Sequence, residues 1–423
     1  MAPTLAHTDS LEAQDPNIHK NEKKQKSRRP ANTAFRQQRL KAWQPILTPK
    51  TVLPLFFIMG IIFAPIGGLL IYASSQVEEL IFDYSNCKDA PVGKDNAKDA
   101  RANVRASFKT QSKGDTPYQW YKNDDVDVTL DNGVHINTTV CSLIFDIPND
   151  IGAPVYLYYR LTNFYQNHRR YVKSLDLDQL KGVAVPNATI GTSTCDPLRL
   201  DPKGKAYYPC GLIANSVFND TILEPRRIGG GNDGNQTYPM TNKGISWSSD
   251  KDLYKPTKYS YDQVSPPPNW IKRYPDGYTE KNPPPNVQEW EELQVWMRTA
   301  GLPTFSKLAR RNDGDRMLAG SYQIDIQDNF KVDIFGGTKS IVLTTRSVMG
   351  GKNPFLGIAY VVVGGICIVL GTIFTFVHLV KPRYVNTPSF LSPIYSSLWL
   401  TSFKENLVII AISLGTANMT VQV

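Results

Sequence analysis

The chain is poor in the side chains that carry most enzyme chemistry. It has only five histidines among 423 residues, and none stands in an HExxH motif or another metal-ligand spacing. The sequence has no G-x-S-x-G elbow, no CxxC pair and no Gly-Lys-Ser/Thr after its glycine run GGGNDG. The Asp-Lys-Thr-Gly-Thr phosphorylation motif of P-type ATPases is also missing. These absences predict a protein with no catalytic residues, metal ion or cofactor of its own.

The positive charge is concentrated near the two ends of the chain. The sequence has 47 Lys and Arg against 38 Asp and Glu, a formal charge of +9. Residues 1–50 carry +6 and residues 381–423 carry +2, so the 330 residues between them carry only +1. Nucleic-acid-binding proteins concentrate basic residues on a folded surface, so we expect no nucleic-acid partner.

Two long apolar segments predict membrane-spanning helices. Residues 52–73 and 355–380 contain no Asp, Glu, Lys or Arg, and about 20 apolar residues suffice to cross a bilayer. Their length argues against buried core helices, and the polar tail before the first argues against a signal peptide. Basic flanking residues place both termini in the cytosol. The expected regions are cytosolic tail 1–50, transmembrane helix 51–73, extracytoplasmic domain 74–354, transmembrane helix 355–380 and cytosolic tail 381–423.

Small residues repeat at heptad intervals in both spans. The first span has Gly60, Gly67 and Ser74. The second has Gly357, Gly364 and Gly371. Seven residues are close to two helical turns, so each set forms a stripe that lets another helix approach. We predict that the stripes pack the two spans together or against a partner's helices; chance spacing of glycine is the alternative.

The cysteines agree with this topology. Four lie in the extracytoplasmic segment, and Cys367 lies in the second span, where we expect a packing role. An even set of cysteines in an oxidising compartment predicts two disulfides. Three connectivities are possible, and we favour the sequential pairs Cys87–Cys141 and Cys195–Cys210. Zinc binding is the alternative, but no nearby histidine supports it.

Asn-x-Thr sequons predict N-glycosylation of the same segment. The four extracytoplasmic sequons begin at Asn137, Asn187, Asn219 and Asn235. A fifth, at Asn418, falls in the predicted cytosolic tail and is expected to stay unmodified.

The predicted fold is a membrane protein whose large α+β extracytoplasmic domain has an antiparallel β-sandwich core, short helices and long loops. Residues 134–147 and 154–161 are rich in β-branched and aromatic residues, and SYQIDIQ, NFKVDIF and SIVLTTRSV near the second span are three further predicted strands. One helix is expected after Asn286 as N-cap, with Glu289 completing a capping box. Residues 225–286 are either a disordered linker or, as their Trp and Tyr favour, an ordered arm.

Several long strings resemble the cell division control protein 50 family. They are NTAFRQQRLKAWQPILTP, NFYQNHRRYVKS, PCGLIANSVFND, VWMRTAGLPTFSKLARR and FGGTKSIVLTTRSVMGGKNPFLGIAYVVVGG. The resemblance covers about residues 30–385, including the two spans and the four cysteines. Family members usually end soon after the Lys-Pro-Arg that follows the second span, whereas this chain continues to Val423. No family function is therefore carried over to this tail.

The resemblance implies a noncatalytic accessory subunit of type IV P-type ATPases, the phospholipid flippases. Such a subunit forms a heterodimer with the ATPase catalytic subunit among membrane phospholipids. It stabilises the ATPase, accompanies it from the endoplasmic reticulum to the Golgi, endosomes or plasma membrane, and supports flipping of phospholipid from the exoplasmic to the cytosolic leaflet. A two-span ligand-gated channel subunit and a lumenal enzyme are alternatives. Four ectodomain cysteines and spans without ionisable pore residues disfavour the channel, and the missing catalytic motifs disfavour the enzyme.

Two basic, aromatic segments are candidate contact surfaces. Residues 163–174 could bind anionic headgroups or glycans, or form a short helix whose aromatic residues pack while Arg169 and Arg170 make ion pairs or hydrogen bonds. Before the first span, one helical turn and a half is expected to end at Pro45 and to contact the ATPase or anionic lipid. Its contact residues are Phe35, Arg36, Arg39 and Trp43, next to Leu40. The alternative for this tail is a topology signal without a specific partner.

Overall fold

The computed structural model describes residues 33–40, 48–110, 118–229, 236–346 and 350–381. The chain separates into two compact units, Met1–Leu53 and Pro54–Val423. In the first unit, residues 34–38 form a hydrogen-bonded turn, and the first long helix begins at Pro49. All of the remaining elements lie in the second unit.

Two helices are long and apolar enough to cross a membrane. Helix α1 spans Pro49–Ser75, with 27 residues and a mean hydropathy of 2.3, and α8 spans Phe355–Val380, with 26 residues and a mean hydropathy of 2.4. Most of their side chains are exposed, as expected of helices that face lipid. The other helices are single turns or little more: α2 Arg169–Lys173, α3 Leu177–Leu180, α4 Asn187–Ile190, α5 Leu212–Asn215, α6 Ser248–Lys251 and α7 Glu291–Met297.

Two antiparallel sheets form the centre of the second unit. The first has the order β11-β6-β13-β1-β3 and the second β2-β4-β5-β12-β8, with β9 also paired to β12. Strands of the first sheet are β1 Glu79–Asp83, β3 Val104–Ser107, β6 Val155–Leu161, β11 Phe305–Asn312 and β13 Lys339–Thr345. Strands of the second are β2 Lys98–Asp99, β4 Tyr118–Thr129, β5 His135–Ile147, β8 Thr221–Ile222, β9 Arg226–Ile228 and β12 Gly320–Asp328. A short parallel pair joins β7 Ala206–Tyr207 to β10 Val264–Ser265.

Apolar side chains from both sheets share one core. Leu143 and Phe145 of β5 and Ile324 of β12 are fully buried together with Leu157 of β6 and Leu343 of β13. Alternate residues of each strand point to opposite faces, so one face of each sheet supplies this core. The prediction of an antiparallel β-sandwich domain with short helices and long loops is confirmed.

The first sheet is joined directly to the membrane helices. Only residues 76–78 separate α1 from β1, and β1 pairs along its whole length with β13, the last strand before α8. Glu78 is buried at this junction: its carbonyl accepts a hydrogen bond from the Thr345 amide at 3.0 Å. Its carboxylate accepts another from the Asn149 side chain at 2.6 Å. The spans therefore meet the domain at one end of the first sheet.

The two disulfides follow the sequential pairing expected from the sequence. Cys87 is joined to Cys141 with a Cα–Cα distance of 6.0 Å, and Cys195 to Cys210 with 5.7 Å. The first bond ties the segment after β1 to strand β5 of the other sheet. Cys367 is a free thiol in α8.

The Gly- and Pro-rich segment between β9 and α7 is an ordered arm wherever the structure describes it, at residues 236–286. The Trp270 indole donates to the Ala214 carbonyl at 2.9 Å, and the Tyr278 hydroxyl donates to the Tyr208 carbonyl at 2.6 Å. At the arm's start, the buried Glu291 carboxylate accepts from the amide of Ile245 at 2.9 Å. Aromatic anchors thus hold a segment that has little regular structure.

Two predicted elements differ from the structure. Residues 329–335 were expected as a strand but form a loop with a 3-10 turn at Asp333–Phe335, because the Asn329 and Phe330 amides donate to the Asp220 carboxylate instead of a neighbouring strand. The predicted helix after Asn286 begins only at Glu291 and has seven residues. The Asn286 side chain accepts from the Gln288 amide in a local turn, so it does not cap the helix.

Candidate functional surfaces

The small-residue stripes form a seam between the two spans. The buried residues of α1 are Gly60, Gly67 and Ser74, and those of α8 are Gly357, Gly364 and Gly371. A Cβ added at Gly67 would lie 2.7 Å from the Gly357 carbonyl oxygen, closer than real side chains come. Backbone therefore meets backbone, and of the two predicted packings the structure has the one between the two spans.

The glycines next to the seam mark its edges. A Cβ added at Gly68 or at Gly365 would meet nothing within 4 Å. Beside the seam, aromatic rings from the two helices pack together: the ring centroids of Phe63 and Tyr360 are 5.1 Å apart, and those of Phe56 and Phe374 are 5.8 Å apart. Close approach is thus confined to one narrow line on each helix.

The segment before the first span is a turn, where a helix was predicted. The Arg39 amide donates to the Ala34 carbonyl at 2.7 Å, and Gln38 takes a φ of 53°. This left-handed conformation ends the turn, so the expected continuous helix is wrong within residues 33–40. Phe35 is 76% exposed, and Arg36 and Arg39 are also exposed. Trp43 and Pro45 lie outside the described residues.

The three described sequon asparagines are all exposed. Asn137 lies in β5, Asn187 is the first residue of α4, and Asn219 lies two residues before β8 begins at Thr221. Asn235 and Asn418 lie outside the described residues. A glycan could therefore be attached at each described site without opening the core.

In residues 163–174, Phe164 and Tyr171 pack against the core, whereas Tyr165, at 56% exposed, and the basic residues face outward. The Phe164 ring packs on Trp296 and Phe335 at centroid distances of 5.5 and 5.1 Å, while the hydroxyls of Tyr171 and Ser216 lie 2.9 Å apart. Burial raises the pKa of Tyr171 to about 12. The expected short helix is α2, but Arg169 and Arg170 are exposed and have no ion-pair partner among the described residues.

A buried ionic cluster links the two sheets, and no motif in the sequence predicts it. The Lys339 ammonium donates to the carboxylates of Asp220, at 2.7 Å, and Asp328, and to the Phe330 carbonyl at 2.7 Å. The Tyr84 hydroxyl donates to Asp220 at 3.0 Å. The side chains of Lys339 and Asp220 are 2% and 0% exposed, so the pair is shielded from water.

The two carboxylates of this cluster stabilise the charge of Lys339 but disfavour a second negative charge beside them. Burial alone would lower the pKa of Lys339, but the two carboxylates outweigh it and raise that pKa above its usual value. Burial, and next the neighbouring Asp220 charge, raise the pKa of Asp328. Asp220 and Lys339 are 119 residues apart, so no local pattern could reveal their pairing. The cluster holds the end of β12, the start of β13 and the residue after Asn219 together.

A second buried lysine, Lys307 of β11, binds the C-terminal carbonyls of helix α7. The Lys307 ammonium donates to the carbonyls of Val295 at 2.8 Å and Trp296 at 2.9 Å, and also to that of Arg298. These carbonyls lie at the helix C-terminus, where a cation is favoured. Burial, and then the nearby Arg298 charge, lower the pKa of Lys307 to about 7. No carboxylate pairs with it in the described part of the chain.

A cleft of about 1220 Å³ opens at the strand ends remote from the membrane helices. Its walls are residues 129–132 and 215–222, the arm residues 268–274 and 281–286, and parts of the loop 329–335. The described residues contain no cluster of His, Cys, Asp and Glu that could hold a metal ion. The cleft instead combines aromatic rings with many asparagine amides, and Asn219 lies in its wall.

Comparison with known proteins gives concordant matches. The model of the LEM3 (ligand-effect modulator 3) family / CDC50 family matches residues 70–384. The phospholipid-transporting ATPase accessory subunit CDC50 of Chaetomium thermophilum is 44% identical over 371 residues, covering 86% of this chain and 91% of the relative. Cell cycle control protein 50A of Bos taurus is 40% identical over 84% of this chain and 90% of the relative. ALA-interacting subunit 3 of Arabidopsis thaliana is 38% identical over 86% and 91%.

Proposed function

Because the chain belongs to the LEM3/CDC50 family, we propose that it is the noncatalytic accessory subunit of a phospholipid-transporting P-type ATPase. The observation that carries this function is the match to accessory subunits over about nine-tenths of their own length. The chain is not itself an enzyme, and ATP hydrolysis belongs to its catalytic partner. Together they form a heterodimer. The channel reading has no support among these relatives.

The chain is an integral membrane protein, and we propose that residues 74–354 lie outside the cytosol while both tails lie inside. The basic flanks of the spans, the two disulfides and the exposed sequons support this orientation. It leaves Asn137, Asn187, Asn219 and Asn235 open to glycosylation. The heterodimer would then leave the endoplasmic reticulum for the Golgi, endosomes or plasma membrane.

The subunit acts on the ATPase through differential binding. A subunit that binds the folded ATPase and not the unfolded chain stabilises the folded form by mass action. If it also binds one transport state more tightly, it shifts the populations of the cycle that moves phospholipid to the cytosolic leaflet. Because the glycine seam is occupied within this chain, the ATPase helices would meet the outer faces of the spans. Exposed residues such as Ile61, Leu69 and Phe376 lie on those faces.

Co-expression of the full-length chain with a type IV P-type ATPase tests this function. We expect a one-to-one complex on purification and lipid-stimulated ATP hydrolysis that is lost when the chain is omitted. A chain that purifies alone as a homo-oligomer, with ATPase turnover unchanged by its absence, would refute the proposal.

The turn before the first span is proposed as a contact with the ATPase or with anionic lipid. Each Arg near an anionic membrane surface contributes about 1 kcal/mol. The double variant Arg36→Ala, Arg39→Ala should lower flippase turnover without changing orientation. The matched control Arg28→Ala, Arg29→Ala removes the same charge from the same tail. If both double variants have the same flippase turnover, Arg36 and Arg39 make no specific contact and the basic tail serves only as a topology signal.

A further inference from the structure

Asn219 is held rigidly on both sides along the chain. The ring of Phe218 stacks on Tyr159 with centroids 3.9 Å apart and an interplanar angle of 2°. The carboxylate of Asp220 is fully buried and accepts hydrogen bonds from the Asn329 and Phe330 amides, both at 2.6 Å. Asn219 itself is exposed, so the direction in which its side chain leaves the backbone is fixed by two anchored neighbours.

Asn219 is one of the wall residues of the cleft, so a glycan attached to it begins at the cleft. At about 1220 Å³ the cleft exceeds the ~300–1,000 Å³ that is usual for small-molecule sites, so it has room for several sugar rings. Its rim presents exposed apolar side chains, Ile271 at 65% and Ile334 at 82%. A group that covers the cleft would shield these two side chains from water.

The chemistry of the walls suits a hydroxyl-rich ligand. Amide side chains donate and accept hydrogen bonds together, as sugar hydroxyls require, and asparagines are numerous here. The half-buried Trp290 adds an aromatic surface. Among the cleft's charged side chains, Arg273 pairs with Asp131 at 2.9 Å and Lys272 donates to the Asn329 side chain at 3.0 Å. Lys281 and Lys331 are exposed and have no ion-pair partner among the residues that the structure describes, so their ammonium groups can donate hydrogen bonds to a ligand.

We propose that the N-linked glycan of Asn219 is seated in this cleft as a built-in ligand of the domain, packed against the arm and the loop 329–335. The inference rests on the extracytoplasmic placement proposed above. A ligand attached to a fixed point on the wall loses little translational freedom when it binds, so modest sugar contacts suffice to hold it. The glycan then joins the arm to the strand ends from outside, as the Lys339 cluster joins the sheets from inside.

Native deglycosylation of the full-length chain in detergent tests, without any variant, whether the Asn219 glycan lies in the cleft. Peptide-N-glycosidase release is followed at each sequon by mass spectrometry, with the exposed Asn187 as matched control. We expect release at Asn219 to be at least 10-fold slower than at Asn187, and the two rates to converge after heat denaturation. Equal native rates, or an unmodified Asn219 beside a glycosylated Asn187, overturn the cleft assignment alone. A chain that carries no glycan at any sequon overturns the placement of the domain as well.

Hydroxyl-radical footprinting separates a seated glycan from one that is merely hard to cleave. Asn219→Gln should increase labelling of Ile271 and Ile334 at least twofold, while Asn187→Gln leaves both unchanged. Leu253, which is 52% exposed and outside the cleft, is the internal control for folding. Unchanged labelling of the two rim isoleucines in folded Asn219→Gln overturns the proposal, and so does an equal change in Asn187→Gln.

Discussion

Substitution of Gly364 tests the seam between the spans, with Gly365 as its matched control. A Cβ at Gly364 would lie 2.9 Å from the Ala64 amide nitrogen and 3.3 Å from its Cα, whereas a Cβ at Gly365 meets open space. Both glycines lie in the middle of α8. Any gain in helix propensity from Gly to Ala, about 1 kcal/mol, is therefore common to both variants and cancels in their comparison.

The expected magnitude follows from the contact distances. Carbon atoms rest about 3.5–4.0 Å apart, so α1 must retreat by roughly 0.5 Å or more to admit the methyl group at Gly364. Overpacking of this kind costs about 1–3 kcal/mol. The retreat also loosens the neighbouring contact of Gly67 with Gly357, which is equally tight. We expect Gly364→Ala to be about 2 kcal/mol less stable than Gly365→Ala, and Gly364→Leu to be worse.

Two measurements on the full-length chain check this. Thermal unfolding in detergent compares the alanine and leucine variants of Gly364 with those of Gly365. Co-purification of the ATPase compares Gly364→Leu with Gly365→Leu. The seam variants should melt at lower temperature and recover less ATPase. If Gly364→Leu and Gly365→Leu melt together and recover the same amount of ATPase, the seam does not stabilise the subunit and the reasoning is wrong.

Three further predictions concern the domain. Lys339→Met leaves the buried Asp220 and the half-buried Asp328 without their counter-ion and should cost about 3–5 kcal/mol in denaturant unfolding. Lys88→Met, at an exposed ion pair, should change the free energy of unfolding little. Lys307 binds fewer protons in the folded state, where burial lowers its pKa to about 7, than in the unfolded state. Stability should therefore rise with pH between about 7 and 10, and Lys307→Met should flatten that slope in unfolding measured across pH. Cys195→Ser removes a disulfide of sequence separation 15 and should lower the free energy of unfolding by about 3 kcal/mol. Cys87→Ser removes one of separation 54 and should lower it by about 4 kcal/mol. If both variants melt at the same temperature as the parent chain, the prediction is wrong.

Features with a local or periodic signature could be predicted from the sequence. The heptad spacing of Gly357, Gly364 and Gly371 identified the buried line of α8, because helical geometry alone converts spacing into a face. Strand β5 was predicted from its β-branched and aromatic composition, and its observed bounds, His135–Ile147, fall within the predicted segment. In both cases the residues that carry the signal are neighbours in the chain.

Features that depend on distant partners could not be predicted. Residues 329–335 have the composition of a strand, but Asp220, more than one hundred residues earlier, takes two of their amides. The pairing of Lys339 with that same carboxylate has no local signal. The cleft likewise forms only where the arm folds over the strand ends. The sequence therefore does not distinguish Asn219 from the other sequon asparagines.

The unequal connections of the two spans to the first sheet set how movement passes between membrane and domain. Three residues, two of them the buried Val77 and Glu78, join α1 to β1, while nine residues separate β13 from α8. A tilt of α1 would therefore be transmitted directly to β1 and the first sheet. A movement of a partner helix against α1 would therefore be passed to the first sheet through three residues.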